Sequence, residues 1–130
     1  MATKKEMAVQ FLNDLGTASP SMLKNLTDNA EYHIIAQLLN VGPFIGKKAI
    51  AEQFMPMLTR IFPNKLVITT HNIIAEGAFV AIECSSRADI ANGGVYANKY
   101  IFLFEFDGDQ IKSVKEYNDT HYVKETLMPG

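Results

Sequence analysis

Tyr96, Asn98, Tyr100, Phe102, Phe104 and Phe106 alternate along one face of a strand predicted from Val95, and the strand after it ends in Glu116, Tyr117, Asn118 and Asp119. Side chains of these types can line an aromatic pocket and hold a titratable carboxyl within it. A carboxylate at the rim of such a pocket is partly desolvated, which raises its pKa and lets it exchange protons with a carbon acid α to a carbonyl. A phenol, amide or imidazole then donates a hydrogen bond to the developing enolate oxygen, a role open to Tyr100, Asn98, Tyr32 or His33. The chemistry expected is proton transfer on a hydrophobic carbonyl compound. Its catalytic candidates are Asp119, Glu116, His33 and Tyr32, and its substrate-binding candidates are Asn98, Tyr100, Tyr96, Phe102, Phe104 and Tyr117.

Which acid faces the pocket depends on the turn between the two strands. If Asp107-Gly108 form a two-residue turn, Phe106 faces Asp109, and the aromatic face continues into Ser113, Lys115, Tyr117 and Asp119. A three-residue loop with a bulge swaps every side chain, so that Val114, Glu116 and Asn118 join the wall instead. A four-residue loop restores the first parity, and a bulge near Tyr117 admits both acids. Asp119 is the favoured inward acid.

Met7, Ala8, Phe11, Leu12 and Leu15 fall at helical spacing and predict an amphipathic helix over residues 3–15, stopped at Gly16. Ser19-Pro20 offers an N-cap and a first-turn proline for a short second helix, with Met22, Leu23 and Leu26 as its buried stripe. Glu31 to Leu39 reads as a strand running into a loop at Asn40 to Gly46. Ile50, Phe54, Met57, Leu58 and Ile61 predict a third helix from Lys47, kinked at Pro56 and closed by Pro63. Lys65 to Ala75 and Ala78 to Ile90 read as strands about a turn at Glu76-Gly77, and a polar loop at Ala91 to Gly94 leads into the aromatic strand. Helices first and an antiparallel meander afterwards predict an α+β domain whose helices close one face of a curved sheet. Ala97, Ile101 and Leu103 stand on the other face, so that face also calls for cover. Residues 1–3 and 128–130 read as loose ends.

With 130 residues and 48% hydrophobic content, the chain suits one domain over residues 1–130, and it has no repeat, low-complexity segment or linker. Its net charge of -2, with no basic run beyond Lys4-Lys5 and Lys47-Lys48, gives no footprint for nucleic acid. No apolar run approaches the roughly 20 residues that span a bilayer, and the N-terminus lacks the apolar segment of a secretion signal, so a cytoplasmic location without membrane contact is expected. The histidines His33, His71 and His121 and the lone Cys84 form no i, i+4 or C-x-x-C ligand pair, which disfavours a metal. Asn92-Gly93-Gly94 joins two strands and opens no helix, so no phosphate cradle and no cofactor are expected. Cys84 reads as a buried thiol, and no serine–histidine or cysteine–histidine pairing supports nucleophilic catalysis.

The order of elements, together with G-P-x-x-G at 42–46, A-E-G-x-x-V-A-I-E at 75–83, G-x-x-Y-x-N-x-Y at 93–100, F-x-x-D-G-x-x-I at 104–111 and E-Y-x-D-T at 116–120, resembles a SnoaL-like domain of the nuclear transport factor 2-like, ketosteroid isomerase-like superfamily. The resemblance covers roughly residues 5 to 127. It implies a cone-shaped α+β barrel, three N-terminal helices packed on a curved, mainly antiparallel sheet, open at one end to an apolar cavity and paired as a homodimer through the outer sheet face. Steroid isomerases of this superfamily use a helix-1 tyrosine, a neutral aspartic acid and a second aspartate as base. The matching positions here are Phe11, Phe102 and the segment Tyr32-His33-Ile34, so steroid isomerisation by that route is not expected. In SnoaL-type polyketide cyclases one aspartate at the end of the last strand serves as acid and base, and E-Y-N-D places Asp119 there. The implied activity is a cofactor-independent cyclase, isomerase or dehydratase acting on a hydrophobic small molecule. The alternative is a non-catalytic ligand-binding or self-association domain of the same fold.

Each candidate also has a plainer role. Asp119, just before Thr120 and His121, suits a cap on the chain's exit from the sheet. Glu116 suits a strand acid paired with Lys99 or Lys115. Asn98 and Tyr100 suit packing and hydrogen-bond satisfaction, His33 a packed strand residue, and His71 and His121 surface positions. The strand pattern leaves the side taken by Glu83 open.

Overall fold

The structure is a computed structural model and describes residues 2–35 and 41–128. Helix α1 (Lys4–Gly16) opens with a capping box in which Thr3 and Glu6 satisfy each other's backbone N–H, so Thr3 is ordered rather than a loose end. A 3-10 turn (Pro20–Leu23) takes the place of the expected second helix, and Leu26 already belongs to strand β1 (Leu26–Ile34). The predicted strand residues 36–39, and the terminal residues 1, 129 and 130, lie outside the described residues. Within the expected loop at Asn40 to Gly46, Phe44–Ile45 forms a short strand, β2, paired antiparallel to β1.

The third helical run is built in three pieces: α2 (Lys47–Ala49), a π segment (Ile50–Phe54) and α3 (Met55–Ile61). Pro56 has no N–H to give and crowds the carbonyl four residues back, so the widened π turn directly before it is where the expected kink is absorbed. Strands β3 (Val67–Glu76), β4 (Phe79–Asp89), β5 (Val95–Asp107) and β6 (Gln110–Asn118) follow, and the chain ends in helix α4 (Thr120–Leu127), which the sequence reading omits.

The six strands form one open sheet in the order β2-β1-β6-β5-β4-β3, with β1 and β6 parallel and all other neighbours antiparallel. The helices lie on its inner face and leave the other face outward, which is the expected α+β architecture. Alternation in β5 is complete: Tyr96, Asn98, Tyr100, Phe102, Phe104 and Phe106 are all buried, while Ile101 on the opposite side is 43% exposed.

The β5–β6 register departs from the favoured arrangement. The turn residues are Gly108 and Asp109, one position later than predicted, and Asp107 pairs with Gln110. Phe106 then pairs with Ile111 but Glu105 pairs with Ser113, so Lys112 is an extra residue in β6. This bulge reverses the parity beyond it. Phe104 faces Val114, Phe102 faces Glu116 and Tyr100 faces Asn118, which carries Val114, Glu116 and Asn118 to the aromatic side and turns Tyr117 outward.

One close approach locks α1 to Leu66, the residue that leads into β3. Gly16 accepts a hydrogen bond from the Leu66 N–H at 2.7 Å, and a Cβ at residue 16 would lie 2.1 Å from the Leu66 carbonyl oxygen. The obstacle is backbone and cannot swing aside. Gly16→Ala should therefore cost about 2 kcal/mol or more of stability, measured as a lowered denaturation midpoint; an unchanged midpoint would contradict this packing.

Candidate active site

Glu116 is the carboxyl that β6 delivers to the inner face. Its Oε1 accepts from the Tyr32 hydroxyl at 2.5 Å and its Oε2 accepts from Asn118 Nδ2 at 3.1 Å. Tyr32 is fully buried on β1, stacked on Phe54 with ring centres 4.1 Å apart, so its phenol is aimed rather than free to rotate away. Asn118 Oδ1 is buried and has no partner. Burial pushes the Glu116 carboxyl above the usual carboxylate range, against the opposing pull of the hydrogen bonds from Tyr32 and Asn118. Tyr32 is held well above its ordinary value by burial and then by the adjacent Glu116, so it stays a donor.

A second polar group faces the same space from β5. The Tyr96 and Tyr100 hydroxyls hydrogen-bond at 2.5 Å, and Asn98 Nδ2 donates to the Tyr96 hydroxyl at 2.8 Å. Either hydroxyl can donate in that pair; when Tyr96 donates to Tyr100, the Tyr100 proton is left for a ligand. Burial pushes Tyr96 up to about 12 and Tyr100 well above its ordinary value, so both remain neutral phenols. The Ser86 hydroxyl, facing inward from β4, is buried without a partner.

Between these groups lies a cavity of about 60 Å³ lined by Glu116, Asn118, Tyr96, Tyr100, Phe102 and apolar residues of α3 and α4. Its volume is room for a few waters or a small functional group. An apolar vestibule of about 290 Å³ adjoins it and shares Ile34, Met57, Ile61 and Leu127 with it.

The expected residues divide accordingly. Glu116, Tyr96, Tyr100 and Phe102 line the cavity, and Tyr32 and Asn98 stand behind them, hydrogen-bonded to Glu116 and Tyr96. Phe104 is fully buried core behind it, edge-on to Phe11 at 5.7 Å. Tyr117 is 41% exposed on the outer face, because the bulge reversed its side. His33, next to Tyr32 on an alternating strand, also points outward and bonds Glu31 at 2.8 Å. Asn118 is a site residue not among the expected catalytic or binding residues, though its inward position follows from the same parity as that of Glu116.

Asp119 is the main correction. It is exposed and is the N-cap of α4, its carboxylate accepting from the Tyr122 N–H at 3.1 Å. A two-residue turn at Asp107-Gly108 would have sent it inward; the bulge at Lys112 prevents that. Asp119→Asn keeps a cap of equal quality and should leave stability within about 0.5 kcal/mol of the parent, whereas Asp119→Ala should cost about 1 kcal/mol. Equal stability of the parent and the Asp119→Ala protein would contradict this placement.

Glu83 lies outward and accepts from Asn72 Nδ2 at 2.6 Å. His71 and Ser85 hydrogen-bond at 2.8 Å across β3 and β4, a pair the sequence spacing conceals, but they stand on the exposed outer face. Cys84 is buried, and that burial pushes its thiol up to about 12, far from a nucleophile's range. Among the described residues no group of three or more His, Cys, Asp or Glu lies together, and no helix is long and apolar enough to cross a membrane.

The chain belongs to the SnoaL-like domain family, whose model matches residues 14–114. Solved structures share its fold. A nuclear transport factor 2-like protein of unknown function from Burkholderia pseudomallei superposes with a TM-score of 0.84 at 13% identity, over 98% of this chain and 99% of that one. A putative SnoaL-like polyketide cyclase from Jannaschia sp. gives 0.78 at 15% identity, over 97% and 91%. TerC, co-crystallised with polyporic acid, gives 0.80 at 12% identity, over 95% and 96%. A search of curated proteins finds no match.

Proposed function

We propose that this protein binds a small hydrophobic carbonyl compound and transfers protons on it without a cofactor, with Glu116 as acid and base. The carrying observation is a carboxyl at an apolar cavity, held on both oxygens by Tyr32 and Asn118 and raised in pKa by burial. Glu116 takes the proton from the carbon α to the carbonyl, and the C–H electron pair moves into an enolate whose oxygen accepts from Tyr100. Return of the proton to another carbon completes an isomerisation. Attack of the enolate carbon on a second carbonyl, with Glu116 returning its proton to the new alkoxide, completes a cyclisation, and loss of a β-hydroxyl as water, protonated by Glu116 as it leaves, completes a dehydration. Tyr32 acts through Glu116 and is a positioning residue. The polyketide cyclase and the polyporic acid complex among the structural neighbours support an oxygenated ring compound as ligand.

The test is deuterium exchange: aryl ketones and cyclic 1,3-diketones are incubated with the protein in D2O and their α-proton signals followed by NMR. Accelerated loss for at least one compound is expected. No acceleration across the panel would favour the second reading, a binding domain without turnover.

The outer face supports a homodimer. Ile74, Phe79, Ile101 and Tyr117 are between 41% and 69% exposed there, more apolar surface than a lone sheet face needs to show water. Light scattering should give twice the chain mass; a monomer at high concentration would refute the pairing.

A further inference from the structure

We infer that the vestibule selects ligands bearing an acidic group, with Arg60 as the residue that recognises it. This rests on the pocket reading above and narrows its substrate class to apolar ring compounds carrying a carboxylate or an acidic enol. The vestibule wall is apolar apart from Arg60 and Asn92, and Arg60 is the one charged side chain on it among the described residues. Arg60 sits in the last turn of α3, the helix whose Met57 and Ile61 line both vestibule and cavity. The ion pairs among the described residues are His33–Glu31, Lys112–Glu105 and His121–Glu125, and Arg60 takes part in none of them. It makes no side-chain hydrogen bond among them either.

A guanidinium at the edge of an apolar hollow suits a planar anion. It is weakly hydrated, permanently charged and able to bind a carboxylate through two parallel hydrogen bonds. The inner cavity fixes the orientation. Its titratable acid is Glu116, and a ligand carboxylate pushed inward would meet a like charge in a poorly solvated space. The ligand's anionic end therefore stays at Arg60, its rings fill the vestibule, and its neutral carbonyl end reaches Glu116 and Tyr100.

The matched probes 2-naphthoate and 2-naphthamide separate charge from ring burial. Each is titrated into the parent protein, Arg60→Gln and Arg60→Lys, with the Met57 methyl signal reporting occupancy. The parent should bind naphthoate about tenfold more tightly than naphthamide. Arg60→Gln should abolish that preference while leaving naphthamide unchanged, and Arg60→Lys should retain part of it. Equal affinities in the parent, or equal weakening of both probes by Arg60→Gln, would overturn the assignment and leave the pocket reading standing. Failure of both probes to move the Met57 signal would overturn the two together.

Discussion

Glu116→Gln is expected to slow catalysed α-proton exchange by about 10²- to 10⁴-fold, the range that removal of a general acid–base group produces. The substitution keeps the shape of the side chain and its acceptor for the Tyr32 hydroxyl. Its new amide N–H would face Asn118 Nδ2, but the Asn118 carbonyl oxygen is buried and unpaired, so a half-turn of that amide gives the donor a partner. The fold should therefore survive, and stability at neutral pH should rise. Burial raises the Glu116 pKa above its ordinary value, so the folded state holds that proton more tightly than the unfolded chain does. Stability is then full below the unfolded pKa and falls as pH climbs toward the folded one. Melting temperatures of Glu116→Gln and the parent should converge at about pH 4 and separate at pH 8, with the variant higher. Full exchange activity in the variant would remove Glu116 from the chemistry.

Tyr32→Phe should produce the second large effect, and a different one. Phenylalanine keeps the stack on Phe54 but withdraws the donor from Glu116 Oε1, a hydrogen bond that in the parent lowers the carboxyl's pKa. Loss of a hydrogen bond to a charged group is worth roughly 1.5–3 kcal/mol. The Glu116 pKa should climb further, so exchange should drop wherever that climb leaves the carboxyl protonated, with the acid limb of its pH–rate profile displaced upward. The deficit should shrink as pH rises and the carboxylate is restored. A purely structural role would lower the rate at every pH alike, so a profile reduced in height but unmoved along the pH axis would contradict the positioning role.

The architecture and the pocket wall were legible because they rest on strong periodic signals: the unbroken alternation of Tyr96 to Phe106 and the helical spacing of Met7 to Leu15. The choice of acid was not, since one extra residue in a strand inverts everything beyond it. A clue existed: Ile111 and Val114, three apart, are both apolar, which breaks the period of two and marks the bulge at Lys112. Asp119 carried a clue as well. An aspartate followed by Val123 and Leu127 at i, i+4 spacing reads as a capped helix, and α4 is that helix. Taken as a strand exit, the chain's end presents Asp119 as a rim acid. Tyr32 was legible as a candidate, but its partner lies 84 residues away, paired through the parallel β1–β6 contact that local patterns do not encode.

Selective labelling of the Glu116 side-chain carbon, with its carboxyl shift followed by NMR against pH, is the most direct measurement. A midpoint displaced upward from the ordinary glutamate value, and displaced further in Tyr32→Phe, is the predicted result. A midpoint in the ordinary range, unmoved by that substitution, would mean the carboxyl is solvated and not lodged at the cavity.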